Sequence, residues 1–406
     1  MARLMILGGG AMQMPAIRSA KGRGHQILVL DPDPEAPGFA LADRSGVADL
    51  ADEAACFEAA HQFDPEGVMT FAADYPMRMV GQLCRRLGLP GPRPEAVAAT
   101  TDKLPMRQRL REAGIAVPDF YEIHSDDDAV RAVSALNGPS IVKPTRSSGS
   151  RGITRLPSGV PREQVERAIR FARNVQGPEA AVLVEECVDG DEFSIEAITW
   201  GGRTEVLALT EKTTTGAPHF VEVAHRQPGD GRRWVELESV VRGCVEALGI
   251  DDSPTHTEVR LTERGPMVME IGSRCGGGYI SSHLVPLSTG IDFIGAAIDV
   301  VLGSEPRIEW TQSRGAAIEF VRAEAGYVMS HGALDEIRGR PGVIELQLQV
   351  TVGDRVPPLR DARDRIGFVI CASETAESAA AECRRCLQDL DLTTAGAPPD
   401  TNEMTK

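Results

Sequence analysis

Glu258 and Glu270 lie in the stretch 256–278, HTEVRLTERGPMVMEIGSRCGGG, where residues 257–261 and 267–271 flank Glu263, Arg264 and Gly265. That pattern predicts two antiparallel strands joined by a short turn, with the glutamates on neighbouring strands. A carboxylate in an apolar strand is costly to bury without a partner, and two like charges close together can share a divalent cation. Hard oxygen ligands suggest Mg²⁺. The same residues also fit an ordinary hairpin whose glutamates face solvent, and the hairpin alone does not choose.

Anion chemistry is suggested further upstream. Lys143-Pro144 is followed by the polar loop 145–152, TRSSGSRG, in which Ser147, Ser148, Gly149, Ser150 and Gly152 let backbone N–H groups wrap an anion, with Arg146 and Arg151 adding charge. The lysine precedes the loop, so this is not a Walker A sequence; a flexible hairpin is the plainer alternative. The stretch 181–195, AVLVEECVDGDEFSI, reads as an apolar strand, a sharp turn at Asp189-Gly190 and an alternating strand from Glu192. Such an edge can present backbone groups to a flat base, or be a hairpin with an acidic turn.

Several elements must hold these residues. A strand over 4–7, the turn Gly8-Gly9-Gly10, a helix including 15–21 and a strand over 26–30 ending in Asp31 make a βαβ opening. Its dinucleotide fingerprint is incomplete, because the third glycine position holds Gln13. Further units at 67–71 and 75–87 extend it to a doubly wound domain over residues 1–92, closed by the proline-rich stretch 89–94. Beyond it come a helix over 103–113 capped by Thr101 or Asp102, a strand over 115–121, a helix over 126–136, a strand over 140–143 and a helix over 164–174. Residues 316–320, 343–350 and 368–371 alternate like strands, a helix spans 375–390, and the polar tail from Thr393 is expected to be disordered.

The 406 residues are 42% hydrophobic, enough for two or three packed domains, and the net charge of −16 argues against a general nucleic-acid or anionic-membrane surface. Small-molecule partners are expected, with no nucleic acid and no membrane. The eight cysteines lack metal-type spacing, the one CxxC being Cys383 and Cys386, so reduced thiols in a cytoplasmic protein are expected. No targeting or membrane-anchoring segment is read.

The order Lys103, Lys143 with its loop, Glu185-Glu186-Cys187-Val188, Glu192, Glu258, Glu270 and Arg274 resembles the ATP-grasp superfamily of carboxylate–amine ligases. The opening LGGG with LVLDPDP is similar to the purine-pathway carboxylating members. The resemblance implies an α/β fold: a doubly wound domain over 1–92, a central domain over 93–180 carrying the phosphate lysines, a lobe over 181–310 with the adenine edge and metal site, a closing α+β segment over 311–392 and a tail over 393–406. It implies ATP and Mg²⁺, one ion or two, with Mn²⁺ as an allowed substitute. Lys103, Lys143 and the loop would take the phosphates, Glu185, Glu186 and Val188 the adenine edge, Glu192 the ribose, and Glu258 with Glu270 the metal. The family commonly has asparagine two residues after the second glutamate; Gly272 stands there, so a second ion would need water, phosphate or Ser273.

Lys212, His219, Glu222, His225 and the run Gly276-Gly277-Gly278 look most like the L-amino-acid ligase branch. The resemblance makes Arg274 and Lys212 the catalytic cations and places His219, Glu222, His225 and the three glycines against amino-acid substrates; two partly exposed strand histidines are the plainer alternative. The implied reaction joins two amino acids through an acyl phosphate, giving an amide, ADP and phosphate. A γ-glutamyl-type ligase, a purine-pathway carboxylase or formyl-phosphate enzyme, and an NAD-binding or nucleotide-binding regulatory protein are the other readings, and a homodimer is left open.

Overall fold

The first apolar run forms the strand Arg3–Leu7, whose Leu4, Met5, Ile6 and Leu7 are fully buried, as a parallel strand covered on both faces requires. In the computed structural model, which describes residues 1–177 and 180–397, it pairs in parallel with Gln26–Asp31 and Gly67–Met69. Arg44–Val47 adds outside Gln26–Asp31 and completes a four-stranded sheet. The helices Met14–Gly22, Glu53–Phe63 and Met77–Leu87 accompany it.

The glycine turn of this sheet does not offer an open dinucleotide cradle. The Gly9 N–H donates to the Asp31 carboxylate at 2.6 Å, and the buried Gln13 side chain donates to the Phe71 carbonyl at 2.6 Å. The groups that would take a pyrophosphate and a ribose hydroxyl satisfy each other.

The chain forms two compact units, each discontinuous in sequence and grouped differently from the consecutive segments expected. One comprises residues 1–117, 193–209 and 230–313; the other comprises 118–192, 210–229 and the chain from Arg314. In the first unit the strands Gly265–Gly272, Ser253–Thr262, Asp191–Trp200 and Arg203–Thr214 lie side by side. Leu110 of the helix Lys103–Glu112 and Val241 of the helix Trp234–Leu248 share a core with Val259, Val268 and Ile271. Asp102 caps the first of these helices by accepting from the Leu104 N–H at 3.1 Å.

In the second unit, Phe120–Ile123, Val182–Glu186, Ser140–Pro144 and Thr154–Leu156 form an antiparallel sheet covered by the helices Asp126–Ala135 and Arg162–Gln176. Its first strand starts at Phe120 rather than at residue 115, because Pro118 has no N–H to give a ladder. Val182–Glu186 and Asp191–Trp200 belong to different sheets, so the acidic turn is not a hairpin tip. A further antiparallel run joins the end of Arg203–Thr214 to Glu222–Gln227, Gly315–Phe320, Gly367–Ser373 and Val343–Leu348. The helix Ala376–Leu390 buries Cys383 and Cys386 in the core of that layer, so the CxxC is a packing face. The expected disordered tail is partly wrong: Thr393–Ala395 is a strand paired with Gly326–Ser330, while residues 398–406 lie outside the described residues. Among the described residues no single helix is long and apolar enough to cross a membrane.

Close packing around the first glycine turn gives a stability test. A Cβ on Gly38 would fall 2.5 Å from Ile17 Cδ1 and 2.9 Å from the Gly9 backbone, whereas one on Gly22 meets nothing within 4 Å. Gly38→Ala is expected to lose roughly 1–3 kcal/mol and to lower the midpoint of thermal unfolding, with Gly22→Ala unchanged or slightly raised.

Candidate active site

The strands Ser253–Thr262 and Gly265–Gly272 are antiparallel, with Glu258 directly opposite Glu270. Directly opposed residues point to one side of a sheet. A register shift makes this possible: Val259 faces Val268 while Glu258 faces Glu270, leaving Met269 as the extra residue of a bulge. The two valines therefore enter the core and the two carboxylates emerge on the other face, each partly exposed, at 26% and 21%.

Cations flank the pair. Lys103 Nζ lies 3.0 Å from Glu270 Oε2, and His256 Nε2 lies 3.5 Å from Glu258 Oε1. His256 Nδ1 is hydrogen-bonded to Glu196, a fully buried carboxylate that also accepts from the Gly276 N–H at 3.2 Å and the Ser281 hydroxyl at 2.8 Å. Burial alone would push the His256 pKa down; the Glu196 and Glu258 carboxylates override it and raise the pKa to about 9.

The glycine run is shaped by this contact. A Cβ on Gly276 would fall 2.5 Å from His256 Nδ1, so close packing requires glycine here, with its N–H engaged by Glu196. Gly277 and Gly278 lie in the turn that follows, Gly278 at φ +58°. Arg274 is buried, and its Nε and Nη2 grip Asp74 at 2.7 and 3.0 Å while Nη1 donates to the Cys275 carbonyl. Burial opposes ionisation of Asp74, but the guanidinium prevails and holds its pKa below the usual carboxylate range. The Ser273 hydroxyl is bonded to Thr100 at 2.8 Å, which removes the simplest protein ligand for a second ion.

The second unit gathers the other expected residues. Lys143 is buried against Glu185, which lies diagonally across the ladder because Ile141 is its direct partner. Glu185 is expected at the adenine edge; here its carboxylate holds the lysine. The Glu186 N–H donates to the Asp119 carbonyl at 2.8 Å, so any contact from Glu186 to a base would use its carbonyl. The loop beyond Lys143 is folded on itself and its surroundings, through Ser147 to the Arg151 carbonyl at 3.2 Å and Ser150 to the Phe220 carbonyl at 3.0 Å. Gly149, Ser150 and Gly152 adopt positive φ angles, which turn successive backbone groups inward. Ser148 accepts from Arg151 Nε through its carbonyl.

Lys212 lies opposite His225 on paired strands and is nearly inaccessible. Its ammonium sits 3.1 Å from Glu192 and 2.5 Å from Glu222. Glu222 and His225 are three residues apart and would face opposite sides of a regular strand; a register shift after Thr213 brings them together, with His225 Nε2 3.5 Å from Glu222 Oε2. Burial lowers the His225 pKa, so the ring is neutral, and its Nδ1 has no hydrogen-bond partner among the described residues. Arg365 closes the cluster, donating to Glu222 at 3.2 Å and stacking 3.8 Å above the centre of the Phe320 ring. Burial opposes the charge on Glu222, yet Lys212, His225 and Arg365 hold its pKa well below normal. His219 lies in the turn 217–219, partly exposed, and no described contact joins it to this cluster.

The ATP-grasp domain family matches residues 136–283, and L-amino acid ligase C-terminal domain 2 matches residues 319–395. The protein y4rH of Sinorhizobium fredii is 30% identical over 81% of this chain and 68% of its own. Carnosine synthase 1 of Homo sapiens is 28% identical over 56% of this chain, which spans only 29% of that protein's length. The crystal structure of L-amino acid ligase from Bacillus licheniformis aligns with a TM-score of 0.83 at 25% identity, covering 98% of this chain and 99% of that one. The chain belongs to the ATP-grasp ligases, in their L-amino-acid ligase branch.

Four residues of this ligase escaped the sequence reading as members of the site: Asp74, Glu196, His256 and Arg365. Asp74 and Arg365 pair with residues 200 and 143 positions away, which no local pattern reveals. Glu196 could have been found, because it is an acidic residue set between Ile195 and Ala197-Ile198 in the strand Asp191–Trp200.

The buried Lys143–Glu185 pair predicts a measurable asymmetry. Lys143→Met should destabilise the ligase by about 3–5 kcal/mol in chemical denaturation, because it strands a buried carboxylate. Lys143→Met with Glu185→Gln should recover much of that stability, since no charge is left unpaired.

Proposed function

We propose that this ligase activates the carboxylate of one amino acid with ATP and passes the acyl group to the amine of a second, giving an amide, ADP and phosphate through an acyl phosphate. The observation that carries this reading is the register that sets Glu258 opposite Glu270, with Lys103 on one of them.

These residues fit a divalent cation of the Mg²⁺ type. They supply two hard carboxylates, and no described group of three or more His, Cys, Asp or Glu side chains is placed to hold a metal. Mg²⁺ commonly binds through one or two carboxylates, with phosphate and water completing its shell. Bound there, the ion would neutralise charge on transferring phosphates. With Gly272 lacking a side chain and Ser273 engaged by Thr100, the protein itself offers ligands for one ion more readily than for two.

Lys103 and Lys143 are each phosphate-facing cations in this reading, and the loop containing Ser147, Ser148, Gly149, Ser150 and Gly152 supplies N–H groups beside Lys143. The Glu186 carbonyl and Val188 meet the base. Glu192 takes the ribose hydroxyls in exchange for part of its contact with Lys212. Lys212, Glu222 and His225 orient an amino-acid substrate, with neutral His225 able to accept a proton. Arg274 turns one edge of its fork to the acyl phosphate while Asp74 keeps the other. Eight unbridged cysteines favour a reducing, cytoplasmic setting.

A matrix of amino-acid pairs, read by phosphate release and product mass, tests the reaction: phosphate should appear only when a donor carboxylate and an acceptor amine are both present, together with a mass equal to their sum less water. Binding of a nicotinamide dinucleotide without ATP turnover would remove the proposal. Glu270→Gln, which conserves volume, should abolish turnover while leaving circular dichroism and thermal unfolding nearly unchanged. Activity persisting in that folded variant at limiting Mg²⁺ would take Glu270 out of the metal site.

A further inference from the structure

Glu196 and His256 belong to no assigned role, yet they form a deeply buried charged contact. Glu196 is fully inaccessible and fixed by three donors: the Gly276 N–H, the Ser281 hydroxyl and His256 Nδ1. Ser281 sits in a π-helical turn, Ile280–Leu284, entered through Tyr279 at φ +64°; both are unfavourable backbone choices that this anchoring helps to hold. Gly276 must be glycine for the contact to form.

The other ring nitrogen faces the metal carboxylates. His256 and Glu258 alternate along one strand and so share a face, and the residue directly opposite His256 is Gly272. The imidazole thus occupies a face position that its cross-strand neighbour leaves without a side chain. Its Nε2 lies 3.5 Å from Glu258 Oε1.

We infer that Glu196 and His256 are positioning residues: the anchored Glu196 carboxylate fixes the His256 ring, and the ring holds the Glu258 carboxylate on the face it shares with Glu270, where the divalent cation binds. The inference rests on the reading of Glu258 and Glu270 as metal ligands. Partners that orient a ligand in this way commonly change metal affinity 10- to 100-fold when removed.

The test uses Mn²⁺ as probe, followed by electron paramagnetic resonance in the full-length protein with ADP present. His256→Gln should raise the Mn²⁺ dissociation constant roughly 10- to 100-fold and alter the line shape of the bound ion. Its affinity for metal-free ADP and its unfolding temperature without metal should stay near native. Glu258→Gln serves as the reference for loss of a ligand. Native-like Mn²⁺ affinity in His256→Gln alongside weakened binding in Glu258→Gln would overturn the positioning role and leave the metal reading standing. Native-like affinity in both variants would sink the metal reading and the inference with it. If His256→Gln does not fold, because Glu196 is left buried without its partner, the double variant Glu196→Gln with His256→Gln removes the stranded charge, and the same affinity comparison decides.

Discussion

Two carboxylates on directly opposed positions of an antiparallel hairpin repel each other, by roughly 3 kcal/mol at ~5 Å in a medium of effective dielectric ~20. Glu258 and Glu270 are held in that relation by the bulge at Met269, which sends Val259 and Val268 inward and leaves the glutamates no other face. Much of the surrounding chemistry follows from the need to offset this repulsion. Lys103 stands at the first position of its helix, where the helix dipole disfavours a cation, and Glu270 compensates. His256 stands beside Glu258 and is itself held by Glu196. A divalent cation would offset the repulsion more fully than any of these side chains, and that is the physical basis of the proposed metal site.

The second unit obeys a similar rule with opposite emphasis. Lys143 and Lys212 are buried cations, each kept by carboxylates on neighbouring strands: Glu185 for the first, Glu192 and Glu222 for the second. Buried ion pairs contribute little net stability compared with apolar residues of similar volume, so their presence here calls for a chemical reason. A lysine already desolvated and already oriented loses less on meeting a phosphate or carboxylate than one drawn from solvent. His225 adds a neutral ring whose Nδ1 has no partner among the described residues in the same cluster.

Short-range pattern made much of this legible. The turn between residues 262 and 265, the capped start of the helix at Lys103 and the parallel opening sheet are local features, and their residue types announce them. The bulges were not legible, because Val268-Met269-Glu270 carries no alternation that marks which residue will be extra, and Val223 gives no better sign beside Glu222. Side-chain partners were least legible of all. Glu185 reads from the sequence as part of an adenine edge, and only the sheet register shows it diagonal to Lys143. Arg274 reads from the sequence as a catalytic cation, and Asp74, far away in sequence, grips half of its fork. The tail failed for a similar reason: Thr393–Ala395 is polar, and it is ordered by a strand whose pairing no local signal foretells.

Oxygen tracking tests the proposed activation of a carboxylate by phosphoryl transfer most directly. With a donor amino acid labelled with ¹⁸O in its carboxylate, attack of a carboxylate oxygen on the γ-phosphorus leaves one labelled oxygen in the phosphate released when the amine displaces it. Phosphorus NMR should then show one ¹⁸O in the phosphate for each amide formed. Unlabelled phosphate accompanying amide formation would contradict an acyl phosphate and with it the central claim.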